Sequence, residues 1–158
     1  MKKIYLLFIF MGSLMLFTAA AQTKPAAKTK TITKYKPPKL FTNIGKAKDS
    51  ALLPVGDVIA ILPRALTVTD ANKNVYTVTY YQFLYKKNVM AETEDGKPYP
   101  STSITSQKFY NGNPLPAIYQ STITESLKKN EYLYFFDIIV KDAKGRSMYA
   151  PDVKITTL

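Results

Sequence analysis

Two stretches dominate the hydrophobic pattern. Residues 75–85 read VYTVTYYQFLY and residues 132–141 read YLYFFDIIVK. Both are β-branched and aromatic nearly throughout, which predicts strands. The first alternates imperfectly. Val75, Tyr81, Phe83 and Tyr85 share one parity, while Val78 and Tyr80 share the other. Either both faces are covered, or a bulge near Thr79 shifts the register. Simple alternation in the second puts Tyr132, Tyr134, Phe136, Ile138 and Val140 on one face. Leu133, Phe135, Ile139 and the acid Asp137 fall on the other. Both faces are too apolar for a sheet open to water, so one requires the core and the other a helix or a partner.

The remaining elements are shorter. Leu40 to Ile44 predicts an entering strand, and Lys46 to Ser50 is polar. Val58 to Leu62 suits a strand or a helical turn equally, since periodicity does not arbitrate at that length. Asp70 to Asn74 is a turn by composition. Glu94 to Pro116 is rich in Gly and Pro and predicts a loop holding a short strand around Ile104 to Tyr110. Leu115, Ile118, Tyr119, Ile123 and Leu127 fall at helical spacing, with Pro116 suited to a first turn, Lys128 and Lys129 to a last turn, and Asn130 to a left-handed cap. Asp142-Ala143-Lys144-Gly145 predicts a hairpin connection with Gly145 left-handed. Pro151 breaks the return strand, Arg146 to Tyr149 and then Val153 to Leu158. The sum is a mainly β fold, a β-sandwich of immunoglobulin-like architecture with one short helix.

The N-terminus changes the compartment. Lys2 and Lys3 precede an apolar run from Ile4 to Phe17, and Ala19 and Ala21 fit a peptidase site before Gln22. Residues 1–21 are therefore expected to be a cleaved signal peptide, too short in its apolar part for the ~20 residues that span a bilayer. The mature protein is expected in the periplasm or outside the cell, with no transmembrane segment after cleavage. No cysteine is present, which excludes both disulfides and a lipobox anchor.

Charge then separates tail from domain. Loss of Lys2 and Lys3 takes the formal charge from +11 to +9. Eight lysines between Lys24 and Lys48 carry nearly all of that. From Asp49 onward, 12 basic residues meet 11 acidic ones. Residues 22–38 form a basic Lys/Thr/Pro linker whose composition builds no core, and residues 39–158 form the domain. A nearly neutral domain argues against nucleic acid. The linker solvates itself or makes a weak electrostatic contact with anionic envelope polymer.

Catalytic chemistry has little to work with. There is no histidine, so the commonest general base and metal ligand is absent. No phosphate-binding glycine motif occurs, and the acids sit mostly in turns or on polar faces rather than as a cleft-flanking pair. No catalytic residue, metal site or cofactor is expected. The many tyrosines and phenylalanines lie at strand spacing, where packing explains them, although a sugar-stacking platform is the alternative. Asp137 is the acid that stands out. An isolated carboxylate in a core is costly, so it is expected to be structural, bonded to backbone N–H groups or to Arg146 across the hairpin.

The final hairpin, YFFDIIVKDAKGR followed by PDVKI, resembles the C-terminal domain of GldM, a periplasmic protein of the gliding-motility and type IX secretion machinery of Bacteroidetes. Phe135, Asp137, Ile138, Gly145 and Arg146 fall on the matching positions. Further back, Val75 to Tyr85, Phe109 and a helix from Ala117 to Lys129 follow the family's order. The resemblance implies a non-enzymatic interaction module with a protein partner in the envelope, and a homodimer. This chain lacks the family's long helical membrane-anchored part. It carries Phe136 and Ile139 where the family tends to be polar, which makes these two the candidate partner contacts. Asp49-Ser50-Ala51 resembles the O-glycosylation signal of exported Bacteroidetes proteins, with Ser50 as acceptor. The alternative function is a secreted carbohydrate- or peptidoglycan-binding protein.

Overall fold

The computed structural model describes residues 35–111 and 113–158. The expected signal peptide and all but the last four residues of the linker lie outside them. The described chain is mainly β, with nine strands and two helices. In order these are β1 (Leu40–Ile44), β2 (Ala47–Lys48), β3 (Ser50–Leu53), α1 (Val55–Ile61), β4 (Leu66–Asp70), β5 (Val75–Glu92), β6 (Pro98–Tyr110), α2 (Ala117–Ser126), β7 (Tyr132–Lys141), β8 (Ser147–Ala150) and β9 (Val153–Thr157). No described helix is long and apolar enough to cross a membrane.

The strands run in the order β2-β1-β4-β5-β7-β9-β3, with β6 added to β5 and β8 to β7. The two ends of this order are adjacent in sequence. β2 pairs antiparallel with β1, β3 pairs parallel with β9, and only Asp49 separates β2 from β3. Asp49 takes φ 51° and its carbonyl accepts the Lys154 N–H. One kinked strand thus joins both ends of the sheet, so the sandwich takes a nearly closed, barrel-like form. Gly45 makes the preceding turn at φ +55°, where an added Cβ would lie 2.8 Å from Ile61 Cγ2. Helix α1 packs that closely because the turn has no side chain there.

Tyr81, Phe83, Phe109 and Phe135 are buried in the interior. Their rings meet tilted, 5.1 Å apart for Phe83–Phe135 and 5.2 Å for Tyr81–Phe109. Tyr119 of α2 meets Phe109 edge-on at 5.3 Å. Each such ring contributes about 2–3 kcal/mol by burial.

Three elements differ from expectation. Residues 58–61 are helical, a second helix beyond the one expected. The Gly/Pro-rich segment holds a long strand, β6, despite Pro98 and Pro100. Thr93 and Lys97 form a hydrogen-bonded pair at the hairpin, so in this unbroken register the odd positions of β6 bond to β5 and the even ones face away. The prolines occupy even positions and remove no bond from the ladder. Helix α2 stops at Ser126, before Lys128 and Lys129. Its Ser121, Thr122, Thr124 and Ser126 hydroxyls bond back to helix carbonyls, which accommodates an otherwise poor helix-forming composition. Ile118, expected on the buried face, is 69% exposed.

Candidate functional site

The bulge expected near Thr79 is present, and it has a counterpart. Val78 faces Val140, Tyr80 faces Ile139, and Gln82 faces Phe136. Thr79 is therefore extra on β5, while Asp137 and Ile138 together face Tyr81 on β7. Each strand slips once, in opposite senses, so the register recovers. The slip moves the core-facing set. Leu133 and Phe135 point inward before it, and Ile138 and Val140 after it. On β5, Val78 is buried and then Tyr81, Phe83 and Tyr85. Without the bulges, half of each strand would turn its apolar side outward.

This corrects the simple alternation. Ile138 and Val140 do not share a face with Tyr132, Tyr134 and Phe136; they lie with Leu133 and Phe135. Asp137 marks the switch. It adopts φ 49°, a left-handed conformation that Asp tolerates better than most side chains. It is exposed, and its Oδ2 accepts a 2.6 Å bond from Gln82 Nε2. The expected Asp137–Arg146 pair does not form. Arg146 instead pairs with Asp142, Nε to Oδ2 at 2.7 Å, within the hairpin that joins β7 to β8. Asp142 is the nearer acid, and its Oδ1 also accepts the Lys144 and Arg146 N–H groups. Burial raises its pKa, but these bonds and the Arg146 charge outweigh that and hold it below the ordinary value. Arg146 also lies 3.8 Å from the Tyr35 ring centroid, whose hydroxyl reaches Met148 Sδ.

The two slips open a cleft of about 600 Å³ on the outer face of the sheet. Ile139 and Tyr80 lie at its centre. Tyr110 and Tyr149, 71% and 74% exposed, stand at either side. Asp137, Asn111 and Lys141 supply polar groups. Asn111 is also left-handed, at φ 52°, and its N–H bonds to the carbonyl of Thr79, the bulged residue. Thr79 Oγ1 in turn donates to the Ile139 carbonyl at 3.1 Å. Both register slips and two of the left-handed residues thus converge on one place. Bulges re-aim side chains next to binding sites.

Of the candidate residues, the fold brings Asp137 and Ile139 together in this cleft. Phe136 sits beside it, half-buried, stacked on Tyr134 at 5.0 Å and 11°. Arg146 is at the hairpin. Ser50 is exposed and lines a separate hollow of about 470 Å³ with Asp49, Tyr132, Tyr134, Asp152 and Lys154. There Tyr134 donates to Asp152 at 2.6 Å, and this bond together with burial pushes the Tyr134 hydroxyl up to about 12. The contributions of Tyr80, Tyr110, Tyr149 and Asn111 were not visible as a set in sequence; the parity break near Thr79 was the available signal.

One functional-looking acid proves structural. Glu131, grouped by sequence with the acids of turns and polar faces, is 1% exposed. Its carboxylate accepts from Tyr85 Oη at 2.6 Å, from the Asn88 N–H at 2.9 Å and from the Lys128 N–H at 2.9 Å. Burial first, then the bond to Glu131, pushes the Tyr85 hydroxyl up to about 12. All three donors are used by this one carboxylate. Among the described residues no group of three acidic side chains is placed to hold a metal ion. No family model and no curated protein matches the chain.

Proposed function

We propose that this protein is a non-enzymatic interaction module of the cell envelope, reaching the periplasm through its signal peptide. Its partner is a protein that seats against the cleft at the double bulge. The observation that carries this reading is the convergence of both bulges on a cleft flanked by two largely exposed tyrosines. Tyr and an aliphatic centre with a polar rim are the composition of protein-binding surfaces. The resemblance of the final hairpin to the GldM C-terminal domain supports a partner within a gliding or type IX secretion assembly. A pull-down from envelope extract tests this. The wild-type domain is expected to recover subunits of that machinery, and Ile139→Asp, with unchanged circular dichroism, to lose them. Equal recovery by both proteins refutes the cleft as the contact.

A second reading is favoured by the pairing of exposed Tyr110 and Tyr149 with Asp137, Asn111 and Lys141. Aromatic faces beside hydrogen-bonding groups also suit a saccharide. Retention of peptidoglycan by the pure protein, lost in Tyr149→Ala, would favour it over the protein partner.

A further inference from the structure

The cleft at the double bulge is one-sided in its hydrogen bonding. The hydroxyls of Tyr80, Tyr110 and Tyr149, the Asn111 side-chain amide and the Lys141 ammonium line it, and all can donate. Among the described residues, none of these groups has a partner. Thr79 has spent its hydroxyl hydrogen on the Ile139 carbonyl. Asp137 is the one side chain of the lining that can only accept, and its Oδ2 already holds Gln82. The cleft therefore asks its occupant for acceptors. Its floor offers no strand edge, because Tyr80 faces Tyr110 on one side and Ile139 on the other, and Ile139 faces Tyr149. A strand from a partner has no ladder to join here.

We infer that the partner presents a proline-rich segment in the polyproline II conformation, with a basic residue at the Asp137 end of the cleft. This rests on the protein partner proposed above and names its chemistry. A polyproline II chain makes no internal hydrogen bonds, so its carbonyls are open acceptors, and proline has no N–H to place. A helix has spent most of its carbonyls on itself, and a saccharide brings a donor with every hydroxyl. The exposed rings of Tyr110 and Tyr149 flank the path, with Tyr80 tilted against Tyr110 at 5.0 Å and 51°. Aromatic-lined grooves take proline rings, and a chain already ordered loses little entropy on binding. Charge then sets the register. Asp137, Ile139 and Lys141 share the outer side of β7, with the acid at one end and the lysine at the other. Their four residue steps cover about 13 Å at most, which is about four residues of polyproline II. A Lys or Arg four positions from a Glu or Asp therefore meets both ends.

Calorimetric titration of the exported protein with the end-blocked peptide PPKPPPEPP tests the inference. The wild type is expected to bind it, and to bind the alanine counterpart AAKAAAEAA about tenfold more weakly. Tyr149→Ala, with unchanged circular dichroism, should weaken binding of the proline peptide about tenfold. Replacing the peptide's lysine by glutamine should cost about threefold with the wild type and nothing with Asp137→Asn. No binding at millimolar peptide overturns the inference. So does equal binding of the two peptides, or a Tyr149→Ala protein that binds as well as the wild type. A pull-down that depends on Ile139 but survives excess proline peptide also overturns it, and leaves the protein partner at the cleft standing. Tyr149-dependent retention of peptidoglycan without peptide binding overturns it in favour of the saccharide.

Discussion

Asp137 shows how one residue's backbone can matter more than its charge. In the left-handed region a small polar side chain is tolerated, while a β-branched one is strained by ~1–3 kcal/mol. The carboxylate is exposed and makes one side-chain bond, to Gln82. Asp137→Asn is therefore expected to melt within a few degrees of wild type, because Asn keeps both the conformation and an acceptor. Asp137→Gly should behave similarly. Asp137→Val should lose about 1–3 kcal/mol in chemical denaturation, and it tests whether the bulge, rather than the ion, holds the register. A large loss in Asp137→Asn with none in Asp137→Val would reverse the assignment.

At the scale of elements, Glu131 sets where α2 ends and β7 begins. Its carboxylate takes the Lys128 N–H, and the Asn130 N–H goes to the Thr157 carbonyl. The backbone that would have continued the helix is thereby claimed by β7 and β9. Glu131→Leu leaves the Asn88 and Lys128 N–H groups and the Tyr85 hydroxyl without this acceptor, each costing about 1–3 kcal/mol where it stays buried. A loss of several kcal/mol is expected in urea unfolding, with a smaller one for Glu131→Gln. This is also where the sequence stops being legible. The aromatic strands, the Asp70 and Gly145 turns, the break at Pro151 and the bulge near Thr79 follow from local chemistry. Asn130 is left-handed as expected, but the helix has already ended at Ser126. Glu131 looked like a surface acid because its partners, Tyr85, Asn88 and Thr157, are distant in sequence. The prolines of β6 looked like loop signals because their harmlessness depends on which side faces β5. The cleft was hidden for the same reason: Tyr80, Tyr110, Ile139 and Tyr149 come from four strands.

At the scale of the molecule, two turn carboxylates tie acid stability to the whole fold. Asp70 accepts from the Asn74 side chain and N–H, the Asn72 N–H and the Tyr76 hydroxyl. The Asn74 side-chain bond is the largest cause, and the set holds the Asp70 carboxyl below its ordinary value against the effect of burial. Asp142 is lowered as well. A depressed folded pKa contributes stability above the unfolded value, ~3.9, and loses it as pH falls through the folded value. The melting temperature should therefore drop as pH goes below about 4, and less steeply in an Asp70→Asn/Asp142→Asn double variant. The kinked strand at Asp49 carries a different consequence, one of timing. Ser50 faces Lys154 across nearly the whole length of the domain, so the seam stays open until residues 153–157 are available to lie between β3 and β7. Contacts of such long range form slowly. A chain emerging residue by residue would hold its first strands without their final partner, and would remain threadable through a translocation pore until late in its synthesis.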